Sequence, residues 1–250
     1  MADWSDPRTS TATLSGVQAD ARDAGLRSYM LSVYNYMASG VLLTGIVSLL
    51  FAKSGMVQAL YATNEIGQIT GMSALGWIAM LAPLGIVFAM SLGQSRMSTG
   101  TLQALFWAYA LLMGVSLSTI FLVYTDTSIA QVFFATAAGF AGLSLWGYTT
   151  KRDLSGFGTF LIMGLVGIIV ASLINLFLRS DAMAFVISVA GVLIFAGLTA
   201  YDTQKIKGMY EYVRGTDMVG KAVIMGALTL YLDFINMFLF LLRLFGSSRN

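Results

Sequence analysis

The sequence predicts an all-α polytopic membrane protein, a bundle of seven transmembrane helices, and three observations predict it. Of the 250 residues, 57% are hydrophobic and 10% are charged, whereas an ordinary soluble domain carries about 25% charged residues. Seven apolar runs are each long enough to cross the hydrocarbon core of a bilayer, which takes about 20 helical residues. Most links between them, SRMSTG, TDTS, KRDLS and RSDA, are of the length that joins neighbouring helices and cannot house a soluble domain.

Residues 1–25 form a polar tail rich in Ser and Thr, with Pro7 and the mixed charges of ADARDAGLR. It is expected to lie on the cytoplasmic side, irregular at first and helical near the membrane. No apolar core follows a basic start, so a cleaved signal peptide is not expected. Residues 26–250 make up the seven-helix domain. The spans are read as about Tyr29 to Ala52, Ala74 to Gly93, Leu102 to Tyr124, Ala130 to Thr149, Phe157 to Leu178, Met183 to Thr203 and Val223 to Phe245. The sixth is expected to continue as helix to Tyr210 or beyond. Only the segment from Lys53 to Ser73 is long enough to cap one face. Pro83 is the only proline within a span and is expected to kink it. Small-residue spacings such as Ala138 to Gly142 and Ala196 to Ala200 are expected to let helix backbones approach closely.

Basic residues in alternate loops set the orientation. With the amino terminus inside, ten lie on the cytoplasmic side (Arg8, Arg22, Arg27, Arg96, Lys151, Arg152, Lys205, Lys207, Arg214 and Lys221) and four on the other (Lys53, Arg179, Arg243 and Arg249). The excess of basic residues marks the cytoplasmic face, so the chain is expected N-in. Full crossing of the last segment puts the carboxyl terminus outside; a re-entrant final hairpin would put both ends inside. Because basic residues here report orientation first, no nucleic-acid partner is implied, and the bilayer itself is the expected surroundings.

The chain has no Cys and no His, which removes disulfides, thiolate nucleophiles, imidazole ligands and histidine proton relays. Chemistry must come from carboxylates, hydroxyls, amides and backbone. Two aspartates sit inside apolar runs, Asp202 in FAGLTAYDTQKIKG and Asp233 in LTLYLDFINMFLFLLRLFG. An ionised aspartate at a helix centre in the membrane costs about 2.5–3.5 kcal/mol on insertion scales, and such groups usually mark a functional pathway. Between them GTDMVG, Gly215 to Gly220, has the glycine-flanked polar character of a chain-reversing turn. The midpoint of 202 and 233 falls within it, so an antiparallel hairpin brings both carboxylates to about the same depth.

On the last helix Thr229, Asp233 and Asn236 share one face by helical spacing, while Lys205 lies one turn from Asp202. Two readings stand side by side. In one, Asp202 pairs with Lys205 and Asp233 bonds to neighbouring polar groups as a packing device. In the other, the two carboxyl groups face each other, cannot easily both ionise, and titrate as a unit. Loss of the shared proton then leaves a doubly charged oxygen site suited to a hard cation such as calcium. Arg96, at the cytoplasmic end of the second span, is either an orienting anchor or a gating countercharge for the pair.

The motifs YDTQKIK and YLDFIN, with LRSYMLSVYNYMASGVLLTG at the start of the first span, resemble the transmembrane Bax inhibitor motif family, in particular its bacterial members, over nearly the whole chain from about Leu26. The resemblance implies a seven-helix bundle whose last helix is central and wrapped by the other six, in the bacterial inner membrane. It implies a pH-sensitive calcium leak, with Asp202 and Asp233 as the family's two aspartates and Arg96 similar in position to a latching arginine. Here GQSRMSTG holds one arginine in place of a basic cluster. No bound cofactor is expected; calcium or another cation enters as the transported ion. A second reading, also consistent with the family, is a non-conducting regulator that binds and restrains another membrane protein, such as a protease or channel. No enzyme activity is expected: two membrane aspartates also suit an intramembrane protease, but no glycines precede Asp233 and no Pro-Ala-Leu element exists.

Overall fold

The computed structural model describes residues 7–249 apart from 65 and 67, with side chains from residue 20 onward. Among these residues the chain forms eight helices: α1 (Pro7–Lys53), α2 (Ala74–Gly93), α3 (Thr99–Leu117), α4 (Ile120–Val123), α5 (Asp126–Thr149), α6 (Ser155–Leu178), α7 (Asp181–Val213) and α8 (Val219–Phe245). Taking α3 and α4 together, seven helical segments are long and apolar enough to cross a membrane. The first six residues of the expected tail lie outside the described residues. From Pro7 the backbone is already helical, where an irregular start was expected.

Hydroxyl side chains in the short loops start the helices. Ser73 accepts from the Gly76 N–H, Ser98 from Thr101, Thr125 from Ser128 and Ser180 from Met183. Each satisfies one of the amides that a helix start leaves without an internal partner. The segment after α1 folds into a 3-10 turn (Met56–Leu60) and an antiparallel pair, β1 (Tyr61–Thr63) with β2 (Ile69–Met72), which caps one end of the bundle. α2 runs unbroken through Pro83.

The span expected to be continuous from Leu102 to Tyr124 is divided at Ser118 and Thr119. Ser118 Oγ donates to the Val115 carbonyl at 2.6 Å and Thr119 Oγ1 to that of Ser116 at 3.1 Å. Such side-chain bonds compete with the helical ladder and bend it. The chain after α8 bonds to the link between α4 and α5: Thr125 N–H donates to the Ser247 carbonyl at 3.0 Å, and Arg249 pairs with Asp126 at 2.7 Å.

α8 is the centre of the bundle. α7, α1, α5 and α3 pack directly against it, whereas α6 packs mainly on α7 and α2 on α3. The expected wrap of six helices is therefore an inner ring of four with two outriders. α8 is one continuous helix of 27 residues, or about 40 Å at 1.5 Å per residue, and Asp233 does not interrupt it. The re-entrant alternative does not describe this helix.

Aromatic rings surround the middle of α8. Phe234 packs edge-on against Phe133 and Phe140, with centroids 5.5 and 5.6 Å away, and Tyr231 against Tyr109 at 5.1 Å. Gly147 of α5 meets the Ala200 backbone of α7 so closely that a Cβ there would lie 2.3 Å from the Ala200 oxygen. Ala200 thus serves a close helix contact, as expected. Ala138 and Gly142 do not: both are exposed, and a Cβ on Gly142 would meet nothing within 4 Å, because that face of α5 points away from its neighbours.

Candidate functional site

Gly215, at φ 73°, adopts the left-handed conformation that glycine takes without steric cost, and turns α7 into α8. Asp202 lies 11 residues before the end of α7 (213 − 202) and Asp233 lies 14 after the start of α8 (233 − 219). At 1.5 Å per residue both sit about 17–21 Å from the turn. Their carboxyl groups come within hydrogen-bonding reach of each other. Asp233 is buried at 4% exposure, Asp202 is half-buried, and Asp233 Oδ2 has no N–H or O–H donor beside it. A hydrogen bond across such a pair requires a proton on one of the two carboxyls.

A cavity of about 240 Å³ leads from the α7–α8 turn to Asp202, lined by Gln94, Lys205, Met209, Lys221, Met225 and Thr229 among others. Lys205 is near enough for charge attraction to Asp202, yet makes no direct ion pair with it among the described residues; its Nζ lies 5.9 Å from the Tyr201 ring centroid. Thr229 lines the cavity and donates to the Met225 carbonyl at 3.1 Å. Asn236 donates to the Leu232 carbonyl at 2.8 Å and is not part of the cavity wall. Both thus engage their own helix and not the carboxyl pair.

Arg96 is not brought to the pair. It stands exposed in the turn between α2 and α3 and does not line the cavity. The cation at the mouth is Lys221, whose Nζ reaches the Gln94 carbonyl at 3.4 Å. Sequence reasoning passed over Lys221, although 221, 225, 229 and 233 follow the four-residue step that places side chains on one helix face. It also missed the Thr44 hydroxyl bonded to Tyr231 at 2.7 Å behind the pair; no local motif marks a contact between residues 187 positions apart. No group of three or more acidic residues that could hold a metal ion occurs among the described residues.

The model of a family described as inhibitor of apoptosis-promoting Bax1 matches residues 26–250. A protein of Rickettsia prowazekii, uncharacterized protein RP147, is 49% identical over 91% of this chain and 93% of its own length. The inner membrane protein YbhL of Escherichia coli is 48% identical over 90% of this chain and 94% of its own. An uncharacterized membrane protein of Streptococcus pyogenes, SpyM3_0260, is 41% identical over 90% and 95%.

Proposed function

This chain belongs to the family of inhibitors of apoptosis-promoting Bax1, and from that premise we propose that it is a pH-sensitive cation leak of the bacterial inner membrane, with calcium as its ion and the Asp202–Asp233 pair as its gate. The observation that carries this reading is the approach of two carboxyl groups deep in the bundle, of which Asp202 lines a cavity that opens at the α7–α8 turn and Asp233 is buried. With one proton between them the pair is a hydrogen bond that ties α7 to α8. With none, two like charges in a poorly solvated bundle repel, the helices separate at that level, and the oxygens offer themselves to a hard cation. Calcium takes 6–8 oxygen ligands when tightly held, and two carboxylates supply few of these. That suits an ion passed onward more than one retained.

The excess of basic residues at the end carrying the α7–α8 turn supports an amino terminus in the cytoplasm, which puts the cavity mouth on the cytoplasmic side. Lys205 and Lys221 then stand between the cytoplasm and the pair, with Lys221 in the position expected of Arg96. The inner membrane is supported by the relative in Escherichia coli.

The test is calcium uptake into vesicles containing only the purified chain, across a pH series. Uptake that exceeds empty vesicles and changes with pH agrees with the proposal. Vesicles that stay tight at every pH would contradict it, and leave the reading as a non-conducting regulator of another membrane protein.

A further inference from the structure

The ring around α8 is not sealed between α1 and α5. Two cavities open along this seam, one towards each end of the bundle. The first, of about 480 Å³, is lined by Arg27, Met30, Leu31, Tyr34, Leu145 and Tyr148 among others. The second, of about 450 Å³, includes Leu42, Ser48, Lys53, Asp126, Phe134 and Phe238. Their flanking side chains Leu31, Leu145, Leu42 and Phe134 are all exposed, so both cavities open sideways towards the hydrocarbon. Arg27 and Lys53 are 26 residues apart on one continuous helix (53 − 27), which is about 39 Å at 1.5 Å per residue. That is close to the bilayer thickness of about 40–45 Å with headgroups included. Each basic residue therefore stands at headgroup level, above an apolar slot at acyl-chain level.

The two mouths differ in charge. At the first, Arg27 has no ion pair among the described residues. Lys207 adds a second cation there: its Nζ bonds the Tyr148 carbonyl at 2.7 Å and lies 4.9 Å from the Tyr148 ring centroid. Tyr34, on the cavity wall, bonds Ser144 at 2.6 Å, and Ser144 bonds Thr203 at 2.9 Å, so this wall is held rigidly to α7. At the second mouth Lys53 shares the cavity wall with Asp126, which is paired with Arg249, so one positive charge is left over there against two at the first. On that cavity's wall the Ser48 hydroxyl is buried at 3% exposure without a hydrogen-bond partner.

We propose that the seam between α1 and α5 is a phospholipid-binding site, and that the cavity at Arg27 selects an anionic headgroup. One acyl chain lies in the slot against Met30, Leu31 and Phe140, and the phosphate sits at Arg27 with Lys207 behind it. The cavity at Lys53 takes a phospholipid of the opposite leaflet with a weaker preference for an anionic headgroup, because with Asp126 paired to Arg249 only one positive charge is left over there. The bound chains complete the wall around α8, whose Ile235 and Phe238 line the second cavity.

The full chain, reconstituted in equal parts of phosphatidylglycerol and phosphatidylcholine and released into the gas phase for native mass spectrometry, reads this directly. The expected result is a retained phosphatidylglycerol in preference to phosphatidylcholine. Arg27→Gln should reduce that preference about fivefold, the weight of one basic residue at a membrane surface, and Lys53→Gln should reduce it less. Ala141→Trp, at an exposed position of the slot, should abolish retention of that lipid; Leu31→Trp fills the slot from the opposite wall if the first variant does not fold. Equal retention of the two lipids by the wild type, or retention undiminished in both slot-filling variants, would overturn the proposal.

Discussion

α8 and α6 both cross the membrane, and they are built in opposite ways. In their most apolar windows 67% of α8 is buried, against 11% of α6. Yet α6 is the more apolar of the two and holds no charged residue, while α8 carries Asp233 in its middle. In water the more apolar element would be the inner one. In lipid the apolar helix is already solvated by acyl chains, so apolarity gives no reason to go inside, and close packing with satisfied polar groups decides the interior. The position of Asp233 follows from the same rule, since a carboxyl is tolerable only where protein surrounds it.

Deleting a ring from each helix tests this contrast most strongly. Phe234→Ala on α8 should cost about 3–5 kcal/mol, the range for a buried ring. Phe160→Ala on α6, where the side chain is 64% exposed, should stay within about 0.5 kcal/mol. Equilibrium unfolding in mixed detergent micelles checks both; comparable losses would break the distinction between centre and shell.

A smaller effect should separate two glycines of α5. Gly147→Ala places a methyl against the Ala200 backbone, and overpacking of this kind costs about 1–3 kcal/mol. Gly142→Ala meets open space and should be neutral or stabilising by up to about 1 kcal/mol, the difference in helix propensity. Thermal melting of the two variants side by side gives the sign of each.

The smallest effect lies outside the membrane, where α6 begins. The Ser155 hydroxyl and then its N–H, which reaches Asp153 Oδ1 at 2.9 Å, hold the Asp153 carboxyl below its ordinary value. A group lowered on folding stabilises above its unfolded value and loses that contribution as pH falls through the folded one. Exchange of the Ser155 amide should therefore quicken, relative to its neighbours, on acidification into and below the carboxylate range. Asp153→Ala should remove that dependence.

The architecture was largely legible because each span is a single uninterrupted apolar run, and the carboxylate pair because two charges inside lipid-like segments stand out. The break at Ser118 and Thr119 was not, since both are ordinary helix-surface residues until their hydroxyls turn back onto the chain. The ring of four with two outriders was also hidden: α2 and α6 differ little from α3 and α5 in composition, and only the packed positions show which reach α8. Arg96 reads from the sequence as a candidate countercharge from outside the α7–α8 hairpin because it closes the second apolar run. Lys221 holds that place because α8 begins early enough to put it on the Asp233 face.

The measurement that bears most directly on the proposed gate is calcium flux against pH for the wild type, Asp202→Asn and Asp233→Asn, each beside its thermal stability. An amide keeps the size of the side chain and its hydrogen bonding but removes one titrating group, so the coupled titration disappears. Both variants should fold, and both should lose the dependence of flux on pH near neutrality. A variant that keeps the wild-type pH curve, or variants that fail to fold while any surviving protein responds normally, would contradict the account and leave the aspartates as a packing device.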